Sequence, residues 1–194
     1  RRCIRGPSTY SRNVDFCSFL AVRGKPNIYT RREPGVPDDP KTGRITGMFK
    51  EYERMSASEI IVLPEHLSSE NACMTTAVAV VQHGNNNVRI EMGDTVAVIG
   101  AGAIGQLHMM VSHLRGAQTV AIDPNLSKLH FAEKIGAADL TINAGNTEDT
   151  KKALDKMKIN EGFGPDVVIE AVGLPQTYKE AFELARPGGQ CLMY

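Results

Sequence analysis

The sequence predicts an α/β fold in which a doubly wound parallel sheet is preceded by part of a β-rich domain. Three observations lead to this prediction. From Gly93 onward short apolar segments alternate with longer amphipathic ones, glycine-containing turns separate them, and residues 1–46 are rich in Arg, Pro and Gly instead. A strict alternation of strand and helix requires right-handed crossovers, which make the strands parallel and place helices on both faces of the sheet.

The amino-terminal part is predicted to contain few regular elements. We expect loops in residues 1–46, because proline and glycine recur there at spacings that interrupt helices and central strands. Gly47–Leu63 contains two short apolar runs compatible with strands. The hydroxyl of Ser68 or Ser69 can then cap a helix, and residues 72–81 are apolar enough for that helix to be buried.

The carboxyl-terminal part is predicted to alternate strand and helix to its end. Strands covered on both faces have to be apolar throughout, and the proposed strands meet this condition. These strands are Thr95–Ile99, Thr119–Ile122, Leu140–Asn143, Asp166–Ala171 and Gln190–Met193. The proposed helices between them are Ile104–Leu114, Leu126–Ile135, Thr147–Met157 and Tyr178–Leu184.

Composition narrows the classes of partner. Lysine plus arginine and aspartate plus glutamate both number 22, so no net field draws nucleic acid or anionic lipid to the surface. No apolar run approaches the ~20 residues that span a bilayer, and residues 1–5 lack the apolar core of a signal peptide. We therefore expect a cytoplasmic protein that binds neither nucleic acid nor membrane. The absence of an initiator methionine indicates a piece of a longer protein.

A glycine-rich turn follows the first predicted parallel strand. Its sequence is Gly100-Ala101-Gly102-Ala103-Ile104-Gly105, which opens an amphipathic helix. Gly100 permits the tight turn, Gly102 lets a pyrophosphate approach the backbone, and Gly105 lets helix and strand pack closely. The N–H groups at the start of the helix, around Ala103 and Ile104, then face the phosphates. This pattern predicts a Rossmann-type dinucleotide site.

An acidic residue follows the second predicted strand. Asp123 lies about 20 residues beyond the glycines, where a carboxylate accepts hydrogen bonds from the hydroxyls of the adenosine ribose. The same carboxylate repels a 2′-phosphate, so the sequence predicts NAD rather than NADP. Lys128 can reach the ribose or can be a solvated surface lysine. S-adenosylmethionine and FAD stay open as ligands, because their binding folds use related turns.

Several stretches of the sequence are typical of one known family. These stretches are Gly47–Tyr52, Leu63-Pro64 with Leu67-Ser68, Met92–Gly100, Asp123–Ala132, Gly136-Ala137, Val168–Gly173 and Arg186–Gly189. Together they resemble the zinc-type medium-chain alcohol and polyol dehydrogenases, of the medium-chain dehydrogenase/reductase superfamily. The resemblance implies hydride transfer between a small alcohol or polyol and NAD, with Val172 and Gly173 beside the nicotinamide, and a homo-oligomeric parent protein.

The resemblance also implies a division into domains and a structural zinc. Residues 1–78 would be part of a GroES-like catalytic domain, and residues 79–194 an NAD-binding Rossmann domain without its last strand. Relatives hold the structural zinc with four cysteines, of which the first and last are spaced as Cys3 and Cys17. Gly6 and Thr9 stand at the two intermediate positions, and two thiolates cannot close a tetrahedral site. We therefore expect a degenerate lobe that folds without metal.

The resemblance also implies a catalytic zinc, and only part of its set of ligand positions falls within this chain. The third ligand of the relatives is expected where this chain has Thr76 and Ala77, and Cys73 lies one turn away as a displaced ligand or a buried structural thiol. Core or capping roles are expected for His83 and His108. No group of residues suited to acid–base chemistry is evident, so no catalytic residue is predicted. Zinc is expected, if anywhere, in the full-length parent.

Three functional hypotheses follow. The first is the cofactor-binding portion of an NAD-dependent alcohol or polyol dehydrogenase. The second is an NAD-binding sensor or structural subunit without turnover, which the missing cysteines favour. The third is a Rossmann-like methyltransferase. Binding of NADH, zinc content and alcohol oxidation separate these hypotheses.

Overall fold

The computed structural model describes residues 2–5, 18–20, 28–30 and 60–194 of the chain. Its contacts divide the chain into two compact units, one comprising Arg1–Pro7 and Val80–Tyr194 and the other Ser8–Ala79. The assignment of catalytic and cofactor-binding roles to residues 1–78 and 79–194 stays a prediction.

The first unit is built on a parallel sheet. Strands of the described residues are numbered in chain order as β1 (Arg2–Arg5), β2 (Ser18–Leu20), β3 (Ile28–Thr30), β4 (Ile60–Val62), β5 (Thr95–Ile99), β6 (Gln118–Ile122), β7 (Leu140–Ile142), β8 (Val167–Glu170) and β9 (Gln190–Met193). The sheet has the order β1-β9-β8-β5-β6-β7, and every neighbouring pair in it is parallel. The chain moves outward from β5 to β7 and then returns to β8. The order therefore reverses between β5 and β8, where open α/β sheets bind their ligands.

Helices connect the strands as the alternation predicts. The described helices are α1 (Ser69–Cys73), α2 (Thr75–Asn86), α3 (Ala103–Leu114), α4 (Leu126–Lys134), α5 (Thr147–Met157) and α6 (Pro175–Leu184), with a 3₁₀ helix at Ile159–Gly162. Helix α6 begins earlier than predicted, because Pro175 occupies a first-turn position that needs no backbone N–H. The doubly wound α/β prediction is confirmed.

Two apolar clusters cover the two faces of the sheet. On one face Val96 and Val98 of β5 pack with Met109 of α3 and Leu129 of α4. On the other face the intervening residues of β5 pack with side chains of α5 and α6. Strand β5 is buried along its whole length, as a central strand covered on both faces must be.

The amino-terminal predictions are only partly correct. Strands β1, β2 and β3 lie within residues 1–46, where loops were expected. Each is three or four residues long, too short for a hydrophobic period to reveal it. Strands β2, β3 and β4 form an antiparallel sheet, and β1 pairs with β9 of the parallel sheet.

The predicted helix over residues 72–81 is two helices. The chain turns at Met74, whose N–H donates to the carbonyl of Asn71, so α1 ends and α2 begins there. Ser68 caps α1, one of the two serines predicted to do so. The expectation of burial is wrong for much of the segment, since Val78 is 39% exposed. Within the described residues, no helix combines the length and apolar character that crossing a bilayer requires.

Candidate functional site

The turn after β5 takes a conformation that excludes a side chain at its first glycine. Gly100 has φ +97°, in the left-handed region. A Cβ there would lie 2.7 Å from Cγ2 of Val172 and 3.2 Å from the carbonyl oxygen of Ala171, both in the segment after β8. The N–H of Gly100 donates to the carbonyl of Ile122, at the end of β6, at 2.8 Å. The turn thus joins the carboxyl ends of three neighbouring strands.

The second and third glycines of the turn, Gly102 and Gly105, differ in the space around them. A Cβ on Gly105 would collide with the carbonyl oxygen of Gly100, so this glycine allows α3 to pack against the turn. A Cβ on Gly102 would meet nothing within 4 Å, and Gly102 precedes α3 without a side-chain cap. Ala103 and Ile104 continue into the first turn of that helix. The space in front of Gly102 is therefore open to an anion that the helix N-terminus favours.

Asp123 lies directly beside the glycine turn. Its side chain is 5% exposed, and Oδ2 accepts a hydrogen bond from the N–H of Ala101 at 2.9 Å. Oδ1 accepts from the N–H of Asn125 at 2.8 Å, which fixes the carboxylate from the other side. The predicted phosphate turn and the predicted ribose carboxylate are thus brought into contact.

Two further polar side chains support the loop that holds Asp123. The ammonium of Lys128 lies 3.5 Å from Oδ2 of Asp123 and its side chain is 48% exposed, so it is neither a distant surface lysine nor a buried one. Asn143, just after β7, donates its amide to the carbonyls of Asp123 and Pro124 at 3.2 and 2.8 Å. Asn143 was not singled out in the sequence. Its position at the end of a third parallel strand was the available signal.

Val172 and Gly173 form the opposite wall of the same edge. Val172 is 46% exposed, and Gly173 has φ +85°. Both backbone N–H groups donate to Oε1 of Glu170 at 2.8 Å, and the hydroxyl of Thr177 donates to the same oxygen at 2.7 Å. Glu170 is fully buried, and sequence reasoning did not single it out. A charged residue that ends an apolar strand was the signal.

These residues fit a dinucleotide. The glycine turn follows β5, Asp123 follows β6 and the Val172–Gly173 segment follows β8, so all lie at the carboxyl edge where the strand order reverses. The arrangement offers an open backbone surface with a helix N-terminus for a diphosphate and an adjacent carboxylate for a ribose.

The predicted zinc ligands do not form a site in the described residues. No group of three or more His, Cys, Asp or Glu side chains lies close enough there to hold a metal ion. Cys3 lies in β1, paired in register with Cys191, and Cys17 lies outside the described residues. Thr76 and Ala77 lie in α2. The described residues therefore do not fit zinc.

Cys73 and the histidines have structural surroundings. Cys73 is exposed, which corrects the expectation of a buried thiol; the end of α1 at this residue leaves it outside a continuous helical face. His108 is a core residue, as expected, with Nδ1 2.6 Å from Oδ1 of Asn85 and its ring edge-on to Tyr194. Burial lowers the pKa of His108 to about 4. His83 lies in the last turn of α2, where its carbonyl accepts from the amide of Asn87.

A separate cleft lies at the amino ends of β8 and β9. It measures about 580 Å³ and is lined by Asn160, Glu161, Phe163, Asp166, Arg186 and Pro187. Burial raises the pKa of Asp166, but hydrogen bonds from the N–H of Thr95 and from Asn160 and Arg186 outweigh it and leave the pKa below its ordinary value. The carboxylate is thus engaged by the protein. We place the functional site at the opposite edge, with the glycine turn.

Comparisons with known proteins identify similar sequences and folds. The family described as zinc-binding dehydrogenase matches residues 103–194. The chain is 31% identical to a D-xylulose reductase of Scheffersomyces stipitis over 93% of its own length and 46% of that protein, and 32% identical to an NADP-dependent isopropanol dehydrogenase of Clostridium beijerinckii over 74% and 41%. An alcohol dehydrogenase from Thermus sp. ATN1 superimposes with a TM-score of 0.62 and 34% identity, covering 70% of this chain and 38% of that one.

The chain spans less than half the length of each of these relatives. The matched portion carries the glycine turn, Asp123 and the segment after β8, all on the parallel sheet described above. The likeness therefore covers both the sequence and the fold of the candidate site. The chain belongs to the zinc-type medium-chain dehydrogenase/reductase family.

Proposed function

We propose that the chain is the cofactor-binding portion of an NAD-dependent oxidoreductase that transfers a hydride between a small alcohol or polyol and nicotinamide. The observation that carries the proposal is the 2.9 Å hydrogen bond from the Ala101 N–H to Asp123, beside open space at Gly102. Bound NAD supplies the hydride acceptor of the reaction. The protein supplies binding and orientation.

Each half of the cofactor has a counterpart in the site. The diphosphate would lie in front of Gly102, where the first N–H groups of α3 face it. The carboxylate of Asp123 would accept hydrogen bonds from the hydroxyls of the adenosine ribose. The exposed side chain of Val172 and the backbone at Gly173 would flank the nicotinamide.

The preference for NAD over NADP rests on charge. The carboxylate of Asp123 disfavours a 2′-phosphate, whereas the nearby ammonium of Lys128 favours one. Because Asp123 is held by two backbone N–H groups and Lys128 is half exposed and screened by water, we propose that the carboxylate dominates. One of the relatives is NADP-dependent, so both cofactors belong in the test.

The test is Asp123→Asn, with nicotinamide fluorescence followed during titration by NADH and by NADPH. Loss of the charged acceptor should weaken NADH binding about tenfold or more and move the NADH to NADPH affinity ratio toward NADPH. Asp139→Asn is the matched control. Asp139 accepts from the N–H and hydroxyl of Thr119 at the other end of β6, so this variant should lose stability and keep the ratio. An equal ratio in wild type and Asp123→Asn would contradict the proposal.

Turnover is a separate question from binding. The described residues do not fit the zinc of the relatives. Alcohol-dependent reduction of NAD by the longer protein would support the dehydrogenase. Saturable NADH binding with no oxidation of a panel of alcohols and polyols would favour the NAD-binding sensor instead.

A further inference from the structure

Glu170 is a buried carboxyl group at the point where the strand order reverses. It ends β8, pairs in register with Ile99 of β5, and is fully buried. Replacing such a group with an apolar side chain would remove a large desolvation cost. Core packing therefore does not account for a glutamate at this position.

The hydrogen bonds of Glu170 are concentrated on one oxygen. Oε1 accepts from the N–H of Val172, the N–H of Gly173 and the hydroxyl of Thr177, all within 2.8 Å. Oε2 is buried and has no partner among the described residues. A single acceptor thus joins the segment after β8 to the first turn of α6.

The same contacts set the shape of the crevice wall. Because both N–H groups turn inward to Glu170, the Val172 side chain stays at the surface, against the position of Gly100. Gly173 is held in the left-handed region, at φ +85°. The wall and the glycine turn are therefore positioned relative to one another through this carboxyl group.

We propose that Glu170 is a positioning residue, which fixes the Val172–Gly173 segment to receive the nicotinamide half of NAD(H). This inference rests on the proposed function above. Glu170 acts through the backbone of the segment and does not itself touch the cofactor. Its loss should therefore weaken the binding of ligands that carry nicotinamide and spare ligands that lack it.

The experiment compares NADH with ADP-ribose, which lacks the nicotinamide ring, by isothermal titration calorimetry. Glu170→Met keeps the side-chain length and removes the acceptor, and we expect the NADH dissociation constant to rise about tenfold. Glu170→Gln keeps an acceptor oxygen and should recover most of that loss. The ADP-ribose constant should stay within about twofold in both variants, because only the nicotinamide wall has changed.

Matched controls exist on the same unit of the fold. Glu180 of α6 is also buried and accepts from the hydroxyl of Thr150 at 2.9 Å, away from the crevice. Glu180→Met and Thr150→Val remove one partner each of this hydrogen bond and should leave the NADH to ADP-ribose ratio unchanged. Thr177→Val removes one donor to Glu170 and should raise the NADH constant alone by about threefold.

The outcomes separate this inference from the proposed function. If the wild-type chain binds neither ligand, the proposed function is wrong. If it binds both and Glu170→Met weakens both equally or neither, Glu170 has no positioning role and the proposed function stands. Should Glu170→Met fail to fold, as thermal unfolding would reveal, the NADH to ADP-ribose ratio of Thr177→Val decides.

Discussion

Gly105 lies where α3 packs against the glycine turn, and a Cβ there would meet the backbone oxygen of Gly100. Backbone cannot rotate away as a side chain can, so we expect Gly105→Ala to lower the free energy of unfolding by about 3 kcal/mol. Gly84→Ala is the control. Gly84 lies within α2, and a Cβ there would make ordinary van der Waals contacts with neighbouring side chains. Urea denaturation should therefore show that Gly84→Ala is as stable as wild type or more stable. Equal stability of Gly105→Ala and wild type would contradict the packing described.

The sequence predicted some residues of the candidate site and missed others. Gly100, Gly102 and Asp123 were predicted because they keep fixed distances from strand ends along the chain. Asn143 was missed because the carbonyls that it contacts belong to a loop about 20 residues earlier, which only the folded sheet brings near. Glu170 was missed although its backbone partners are close along the chain, because the sequence does not show that this carboxyl group is buried and turned back onto them. Side-chain bonds to distant backbone leave no periodic trace in the sequence.

At the scale of elements, α3 differs from α4 and α5 in how its amino end is capped. The side chain of Asn125 caps α4 and that of Asn146 caps α5. Gly102 precedes α3 without a side-chain cap. The first N–H groups of α3 thus have no side-chain cap, as the proposed diphosphate site requires.

The variant Gly102→Ser tests the interpretation that the amino end of α3 binds a diphosphate. Gly102 has an extended backbone that serine adopts freely, so the hydroxyl should cap the helix and raise the free energy of unfolding by a few tenths of a kcal/mol. The same hydroxyl would occupy the phosphate space, and NADH binding should weaken about tenfold or more. Asn146→Ala, by contrast, should cost about 1 kcal/mol and leave NADH binding unchanged. Undiminished NADH affinity in Gly102→Ser would exclude a diphosphate at this helix.

Element boundaries were predictable where two signals coincided. Strands β5 and β9 begin and end as predicted. Gly93-Asp94 and Gly100 flank the apolar run of β5, and Gly188-Gly189 precedes that of β9. The single helix predicted over residues 72–81 was wrong, because apolar composition alone does not reveal the turn at Met74.

At the scale of the whole molecule, stability should fall on mild acidification. His108 stays neutral in the folded protein until the pH reaches about 4, whereas in the unfolded chain it takes up a proton near pH 6.5. Between these values acid therefore favours the unfolded state. We expect the free energy of unfolding to fall by about 2 kcal/mol from about pH 7.5 to about pH 5, measured by urea denaturation.

His108→Gln checks the cause of that loss. Glutamine does not titrate, so the pH dependence between about pH 7.5 and about pH 5 should largely disappear, although the variant is less stable overall. Asp139 and Asp166, whose carboxyl pKa values are lowered on folding, contribute only at lower pH, as it falls through their folded pKa values. An unchanged slope in His108→Gln would assign the effect to other groups.

The parallel sheet was predictable from the sequence as a whole, but its outer edge was not. Strands β5 to β9 follow one another along the chain with helices between them. This alternation of strand and helix is what predicts that the strands are parallel. Strand β1 pairs with β9 from the opposite end of the chain. No local pattern connects segments so far apart.

The most direct test of the central claim locates the bound cofactor. In an NMR titration of ¹⁵N-labelled chain with NADH, we expect saturable shifts of the amides of Gly102, Ala103 and Ile104, together with those of Ala101 and Gly173. Saturable shifts confined to the cleft lined by Asn160 and Arg186, or no shifts at millimolar NADH, would contradict the placement of the dinucleotide at the carboxyl edge of the sheet.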